Sequence, residues 1–163
     1  MRIVEVRHDG LGRLTVRSSE PPVSGDNAVE RAYRRLVERQ GGDAPSVVVD
    51  VVSDIPMAAG LGSSAAATAA GLRVFERVVG PVADGVLLQV ATEIEGHGDN
   101  AAPALFGGLN SVVVDDDGGL PRALRWSWPE DLRLIVATPF TGLATSKARA
   151  VLSPSVARRD AIY

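Results

Sequence analysis

The sequence predicts an α+β fold: one mostly antiparallel sheet covered on one face by helices. Three observations carry that expectation. Val47–Val52 is almost continuously apolar and β-branched, as in a buried strand. The stretches after Asn27 and after Ser64 repeat apolar side chains at helical spacing. Near the start of the chain, Arg2 to Arg7 and Leu14 to Val16 alternate with the period of half-buried strands.

In chain order, the first run sets Ile3, Val4 and Val6 against Arg2, Glu5 and Arg7. His8, Asp9 and Gly10 then lead into Leu14, Thr15 and Val16, so a hairpin is expected, with His8 solvated beside its turn. Pro21 and Pro22 break the chain. Asp26 or Asn27 caps a helix that gathers Ala28, Val29, Ala32, Tyr33, Leu36 and Val37 on one face. Arg31, Arg34, Arg35, Glu38 and Arg39 fill its other face, and Gly41 and Gly42 end it. After Val47–Val52 and a glycine-serine loop, Ala65 to Val79 reads as a helix stopped by Gly80 and Pro81. Asp84 is expected to cap a third helix through Val86, Leu87, Val90, Ala91 and Ile94. That helix closes on Glu95 and Gly96. A carboxylate at a helix C-terminus opposes the dipole, so Glu95 is not placed there for helix stability.

Further on, Pro103 to Gly108 is apolar and glycine-ended, and Leu109 to Val114 reads as a strand. Asp115 to Gly119 reads as a solvated hairpin tip, whose three aspartates lack the spacing and the closing Glu of a calcium loop. Arg122 to Trp128 pairs back. Leu132 to Thr138 is expected to be a strand burying Leu132, Leu134 and Val136, with Ile135 a further candidate, and Thr145 to Leu152 a short helix.

Composition narrows the function classes. At 163 residues the chain is one domain with room for a real core. A net charge of -3 and 4% aromatic residues offer neither the basic stripe nor the stacking platform of a nucleic-acid binder. There are no cysteines, hence no disulfide, thiolate metal site or Cys nucleophile. The two histidines, His8 and His97, are too few for a histidine-rich metal site. No signal peptide and no apolar span of about twenty residues is visible, so a cytoplasmic protein without membrane contact is expected.

The stretch Pro56, Met57, Ala58, Ala59, Gly60, Leu61, Gly62, Ser63, Ser64 lies between strand and helix. Gly60 and Gly62 let backbone approach a ligand closely. Ser63 and Ser64 fall where the helix begins and both suit its cap. The free N–H groups and positive dipole end of such a helix form a phosphate seat; a glycine turn with a good cap is the plainer alternative. The P-loop pattern fails, because no Lys follows Gly62. The dinucleotide fingerprint is met literally by Gly60, Gly62 and Ala65. Yet a loop separates strand from first glycine, and no acidic residue ends a second strand about twenty residues on.

Pro56 through Ala67 resembles the second motif of the GHMP small-molecule kinases, a proline followed by a loop that wraps ATP phosphates. Glu95, Gly96, His97, Gly98, Asp99, Asn100 and the residues to Gly108 resemble the homoserine kinase version of the downstream block. Thr145 to Leu152 and Arg158 to Ala161 resemble two further blocks of that group, in the same order. The resemblance runs from Asp26 to Tyr163. It implies a ribosomal-protein-S5-domain-2-like fold, and transfer of the γ-phosphoryl group of ATP, with Mg2+, to the side-chain hydroxyl of L-homoserine in threonine biosynthesis.

The resemblance also implies site residues. Asn27 faces adenine, beside its reading as a cap. Pro56, Ala59, Gly60, Leu61, Gly62, Ser63 and Ser64 cradle the phosphates. Ser64 and Glu95 hold Mg2+, with Glu93 a second choice two residues earlier. Asn100 and Arg149 contact homoserine, the arginine being suited to fork onto its carboxylate. Thr145 reaches the active site, so that Ser64, Glu95, Asn100 and Thr145 form the catalytic set. Asp99 is the one carboxylate beside Asn100 suited to act as a base, but this branch works by positioning and electrostatics and no base is assigned.

Two local departures stand out. Ala58 and Ala59 replace a frequent Gly-Ser, and Gly98 replaces a usual proline, which is expected to loosen its loop. By the same resemblance, residues 1–163 read as the N-terminal, ATP-binding domain, without the family's first strand and C-terminal domain. The sheet edge so exposed favours a homodimer. The rival expectations are a GHMP kinase for another alcohol, a non-catalytic nucleotide-binding module, and a dinucleotide-dependent oxidoreductase. The last requires a parallel βαβ unit at Gly60.

Overall fold

The structure is a computed structural model that describes residues 2–8, 14–18, 27–42, 45–114, 119–138, 142, 145–151, 153 and 155–161. In order, the elements are β1 (Arg2–His8), β2 (Leu14–Ser18), α1 (Ala28–Arg39), β3 (Val47–Val52), α2 (Ser63–Val78) and α3 (Asp84–Glu95). Then follow α4 (Ala101–Phe106), β4 (Leu109–Val113), β5 (Arg122–Trp126), α5 (Thr145–Ala150) and α6 (Arg158–Ala161).

The most apolar strand takes the centre. The first sheet has the order β1-β3-β2. β1 runs antiparallel to β3, from Arg2 opposite Val52 to His8 opposite Val47, with a register irregularity between Ile3 and Glu5. β2 runs parallel to β3, from Leu14 opposite Val47 to Ser18 opposite Val51. The expected β1–β2 hairpin is therefore not formed, because β3 stands between the two strands. The intervening α1 supplies the long crossover that a parallel β2–β3 pair needs. β4 and β5 do form the expected antiparallel hairpin, with Leu109 opposite Trp126 and Val113 opposite Arg122. The α+β expectation holds, and the sheet pairings are antiparallel apart from β2–β3.

β3 buries Val47, Val49 and Val51 and leaves Val48, Asp50 and Val52 half-buried. Its buried side joins one apolar core with Leu36 of α1, Leu72 and Phe75 of α2, Leu87 and Leu88 of α3, and Leu105 of α4. Tyr33 packs edge-on to Phe75 at 5.8 Å between ring centroids. Its hydroxyl donates to the Pro45 carbonyl at 2.6 Å. The helices α1 and α2 cross at Gly71, where a Cβ would fall 2.1 Å from the Val29 carbonyl oxygen. Arg73 of α2 donates to the Leu105 carbonyl at 2.7 Å, tying down the end of α4, and pairs with Glu76.

Three further expectations change. Leu132–Thr138 is not a strand, and Leu134, Ile135 and Val136 are exposed by 75%, 96% and 64%. Its composition suits a strand, but a strand exists only against a neighbouring edge, and this run has no paired neighbour among the described residues. Asp84 is the first residue of α3 and not its cap; Ala83 holds the cap position without a side-chain bond. α4 was not anticipated; its Pro103 lies in the first turn, where the missing N–H costs nothing. The aspartates of the β4–β5 turn lie outside the described residues.

Candidate active site

The loop between β3 and α2 coils through left-handed backbone at Ala58 (φ 55), Gly60 (φ 74) and Gly62 (φ 72). Gly62 is itself the N-cap of α2, with no side-chain cap bond. Neither Ser63 nor Ser64 caps the helix, contrary to expectation. The chain enters through a conformation that glycine adopts freely, which carries both serines into the first helical turn. The first internal bond runs from Ala66 N–H to the Gly62 carbonyl at 2.9 Å. The N–H groups ahead of it have no helical acceptor, the general basis of anion binding at helix starts. Pro56, Gly60 and Leu61 are exposed, and Ala59, Gly62 and Ser63 half-buried, so the loop is open to a ligand along its length.

Ser64 is exposed and its Oγ donates to Glu95 Oε1 at 3.0 Å. Thr68, one turn further along α2, donates to the same oxygen at 2.6 Å and is itself fully buried. Glu95 is the last residue of α3, and Gly96 follows in left-handed conformation as its C-cap. Glu93 faces elsewhere. It accepts from Arg35 Nη2 at 3.1 Å and pairs with Arg39 Nη1 at 3.4 Å, both on α1. The hydrogen bond and charge of Glu93 hold the Arg35 guanidinium above its ordinary pKa. Of the two carboxylates at this helix end, Glu95 stands at the loop and Glu93 fastens α3 to α1.

Asn100 lies just before α4, and a Cβ on Gly62 would sit 3.9 Å from its Cγ and Oδ1. Beside it, His97 Nδ1 and Asp99 Oδ1 are 2.5 Å apart, and the Asn100 N–H donates to that same oxygen at 2.8 Å. Gly98 is closely packed in this segment. It is buried, and a Cβ there would come 2.8 Å from Val112 Cγ1, so glycine is what lets β4 close on the loop.

Asn27 caps α1, its Oδ1 accepting from the Glu30 N–H at 2.9 Å. Two residues on, Val29 meets Gly71, about 12 Å along α2 from Ser63 at the usual helical rise. Gly142 lies against the loop: a Cβ on it would lie 2.9 Å from that of Ala58. Thr145 opens α5 and Arg149 lies within it; their side chains are outside the described residues. The structure thus gathers the 56–64 loop, Glu95 and Asn100. It sets Asn27 beside the middle of α2. Thr68 was missed by the sequence reading. Its signal was a hydroxyl within an otherwise small and apolar buried face of Ala65, Ala69 and Leu72.

The donor set suits a hard cation. The Ser64 hydroxyl and the Glu95 carboxylate offer two oxygens 3.0 Å apart. Among the described residues no group of three or more His, Cys, Asp and Glu side chains comes together. The two oxygens of Ser64 and Glu95 fit Mg2+, which usually takes one or two protein oxygens and completes its shell with phosphate and water. The dinucleotide reading loses its frame. α2 leads into α3 and not to a strand beside β3, so among the described residues no parallel βαβ unit is centred on Gly60. No helix among the described residues is long and apolar enough to cross a membrane.

Comparison with known proteins agrees with this layout. The family model described as GHMP kinases N terminal domain matches residues 27–108. Homoserine kinase of Thermosynechococcus vestitus is 42% identical over 139 residues, covering 85% of this chain and 46% of that protein. Homoserine kinase of Deinococcus radiodurans is 40% identical over 138 residues, covering 84% and 44%. A crystal structure of homoserine kinase from Cytophaga hutchinsonii superposes with a TM-score of 0.67 at 25% identity, over 92% of this chain and 50% of that one. The chain spans about half the length of the curated relatives it matches. With the uncapped glycine-serine helix start between Pro56 and Ser64, and the family match from Asn27 to Gly108, the chain belongs to the GHMP kinases.

Proposed function

We propose that this chain is the ATP-binding part of a homoserine kinase, which transfers the γ-phosphoryl group of ATP to the side-chain hydroxyl of L-homoserine. The observation that carries the reading is the meeting of Ser64 and Glu95 at the uncapped start of α2. Support for the acceptor comes from the relatives' names and from Asn100, whose side chain lies against Gly62. The reading places the enzyme in the cytoplasm, acting on a small molecule, and allows self-association through the sheet edges.

In this reading the N–H groups of the loop from Gly60 to Ser64 bind the phosphates, and Pro56, Ala59 and Leu61 shape the loop around them. The Asn27 carboxamide faces adenine. Ser64 and Glu95 hold Mg2+, which when bound neutralises the charge of the phosphate chain. Asn100 and Arg149 orient the amino acid so that its hydroxyl oxygen lies in line with the γ-phosphorus, and Thr145 closes the same site. The new O–P bond forms as the bond to the β,γ-bridging oxygen breaks, ADP leaves, and the hydroxyl proton passes to solvent. Catalysis rests on positioning and charge and not on a strong base. Asp99 is already committed to His97 and to the Asn100 N–H, which suits a loop-holding role.

Calorimetric titration of the chain with Mg·ATP, with and without L-homoserine, tests this. Binding is expected, weakened about tenfold or more by Ser64→Ala, and tightened by L-homoserine. No binding to folded protein, or equal binding by Ser64→Ala, refutes the placement of the nucleotide. Binding indifferent to L-homoserine refutes the acceptor.

A further inference from the structure

We infer that Thr68 is a positioning residue, whose buried hydroxyl fixes the Glu95 carboxylate in the orientation from which it holds the metal–nucleotide complex. The inference rests on the reading of Ser64 and Glu95 as the metal-holding pair. Three observations carry it. Thr68 donates to Glu95 Oε1 at 2.6 Å, a shorter contact than the 3.0 Å from Ser64 to the same oxygen. Thr68 is fully buried, so water does not compete for that bond, whereas Ser64 is exposed. And a threonine within a helix ordinarily bonds back to the carbonyl four residues earlier; here the hydroxyl reaches across to another helix.

The consequence is a division of labour. Oε1 is anchored by a donor that cannot rotate into solvent, which limits the carboxylate's side-chain freedom. Ser64, at the surface, is able to turn its oxygen from donating to Glu95 to coordinating a cation. Removing the anchor leaves Glu95 in place chemically but free to sample other rotamers, including ones turned from the loop. Partners that orient a metal-ligating carboxylate typically govern metal affinity by about ten- to a hundredfold.

The test uses the whole chain, with Mn2+ as a spectroscopic probe. Free Mn2+ is followed by electron paramagnetic resonance during titration in the presence of ATP. ATP affinity without metal and thermal stability are measured in parallel. Thr68→Val keeps the shape and removes the hydroxyl; Thr68→Ser keeps the hydroxyl. Thr68→Val is expected to weaken Mn2+ binding about tenfold, with metal-free ATP affinity unchanged and the melting temperature lowered by a few degrees at most, and Thr68→Ser to recover most of the loss. Unchanged Mn2+ affinity in Thr68→Val, beside a loss in Glu95→Gln, overturns the positioning role and leaves the metal reading standing. A fall in metal-free ATP affinity as large as the fall in Mn2+ affinity makes Thr68 merely structural and equally overturns it. Wild-type protein that binds Mn2+ no better than Glu95→Gln overturns the metal reading, and the inference with it.

Discussion

Replacing Gly71 by alanine tests the crossing of α1 and α2 that gives α2 its place. An ideal Cβ at Gly71 falls 2.1 Å from the Val29 carbonyl oxygen and 2.9 Å from both the Val29 carbonyl carbon and the Ala32 Cβ. Contacts under 3.0 Å force something to move. The first two partners are backbone, so no rotamer can turn aside, and the helices must separate by roughly 1 Å. Such overpacking costs about 3 kcal/mol, the upper part of the usual range. Alanine returns about 1 kcal/mol through its higher helix propensity. The net loss is about 2 kcal/mol, which for a chain of this size lowers the melting temperature by roughly 4–8 °C. Gly85 of α3 is the control: it too is helical, but nothing lies within 4 Å of its Cβ position. Gly85→Ala is expected to stabilise by about 0.5 kcal/mol. Thermal and urea unfolding of both variants, followed by circular dichroism, supply the comparison. Gly71→Ala melting at or above wild type, while Gly85→Ala behaves as expected, refutes the close crossing.

Two further outcomes are expected. Burial pushes the Tyr33 phenol above its ordinary pKa, so the folded chain keeps a proton that the unfolded chain releases. That contribution to stability is complete below pH 10 and is lost as pH rises through the folded-state value. Tyr33→Phe therefore shows a shallower alkaline decline in urea midpoint, and at neutral pH loses about 1 kcal/mol with the bond to Pro45; identical alkaline limbs refute the burial argument. Glu93→Gln breaks partly exposed ion pairs with Arg35 and Arg39, so its urea midpoint and Mg·ATP affinity stay close to wild type. A nucleotide defect as large as that of Glu95→Gln refutes the assignment of the two carboxylates.

What the sequence made legible follows local rules. The Asn27 cap, the apolar face of α1 and the almost continuous apolar run of β3 are each written within a few residues. Glu95 was conspicuous because it opposes the dipole of its own helix. What stayed hidden depends on distant partners. Glu93 and Glu95 sit two residues apart, a turn of about 200° around the helix. Which of them faces the loop is decided by Arg35 and Arg39, far off in sequence on α1. The β1–β2 hairpin was plausible because adjacent alternating strands usually pair. It gives way because β3, more apolar than either, bonds along both its edges. Leu132 to Val136 had the composition of a strand, but among the described residues it pairs with no edge. Thr68 was invisible because its partner lies on another helix, although its oddity among buried alanines was in plain view.

The meeting of α2 and α3 also explains why a cation belongs in the proposed site. Glu95 ends α3, where its own helix dipole is unfavourable to a negative charge, and stands against the first turn of α2, where the positive dipole end favours one. The same N–H groups of α2 are those proposed to receive phosphate. Two anions thus converge on one helix start. At about 4 Å and the effective dielectric of a protein surface, like charges repel by about 4 kcal/mol. That is more than the helix end contributes to binding either of them. In the proposed site, a positive ion held by Ser64 and Glu95 would relieve that repulsion. A divalent cation with hard oxygen ligands would turn the repulsion into two attractions, with the Ser64 hydroxyl available as a neutral oxygen ligand. On this argument the carboxylate selects for nucleotide that arrives with its metal. Glu95→Gln is accordingly expected to tighten ATP measured without metal while weakening Mg·ATP, a reversal that simple loss of a contact does not produce. Weakening of both forms alike refutes the electrostatic account.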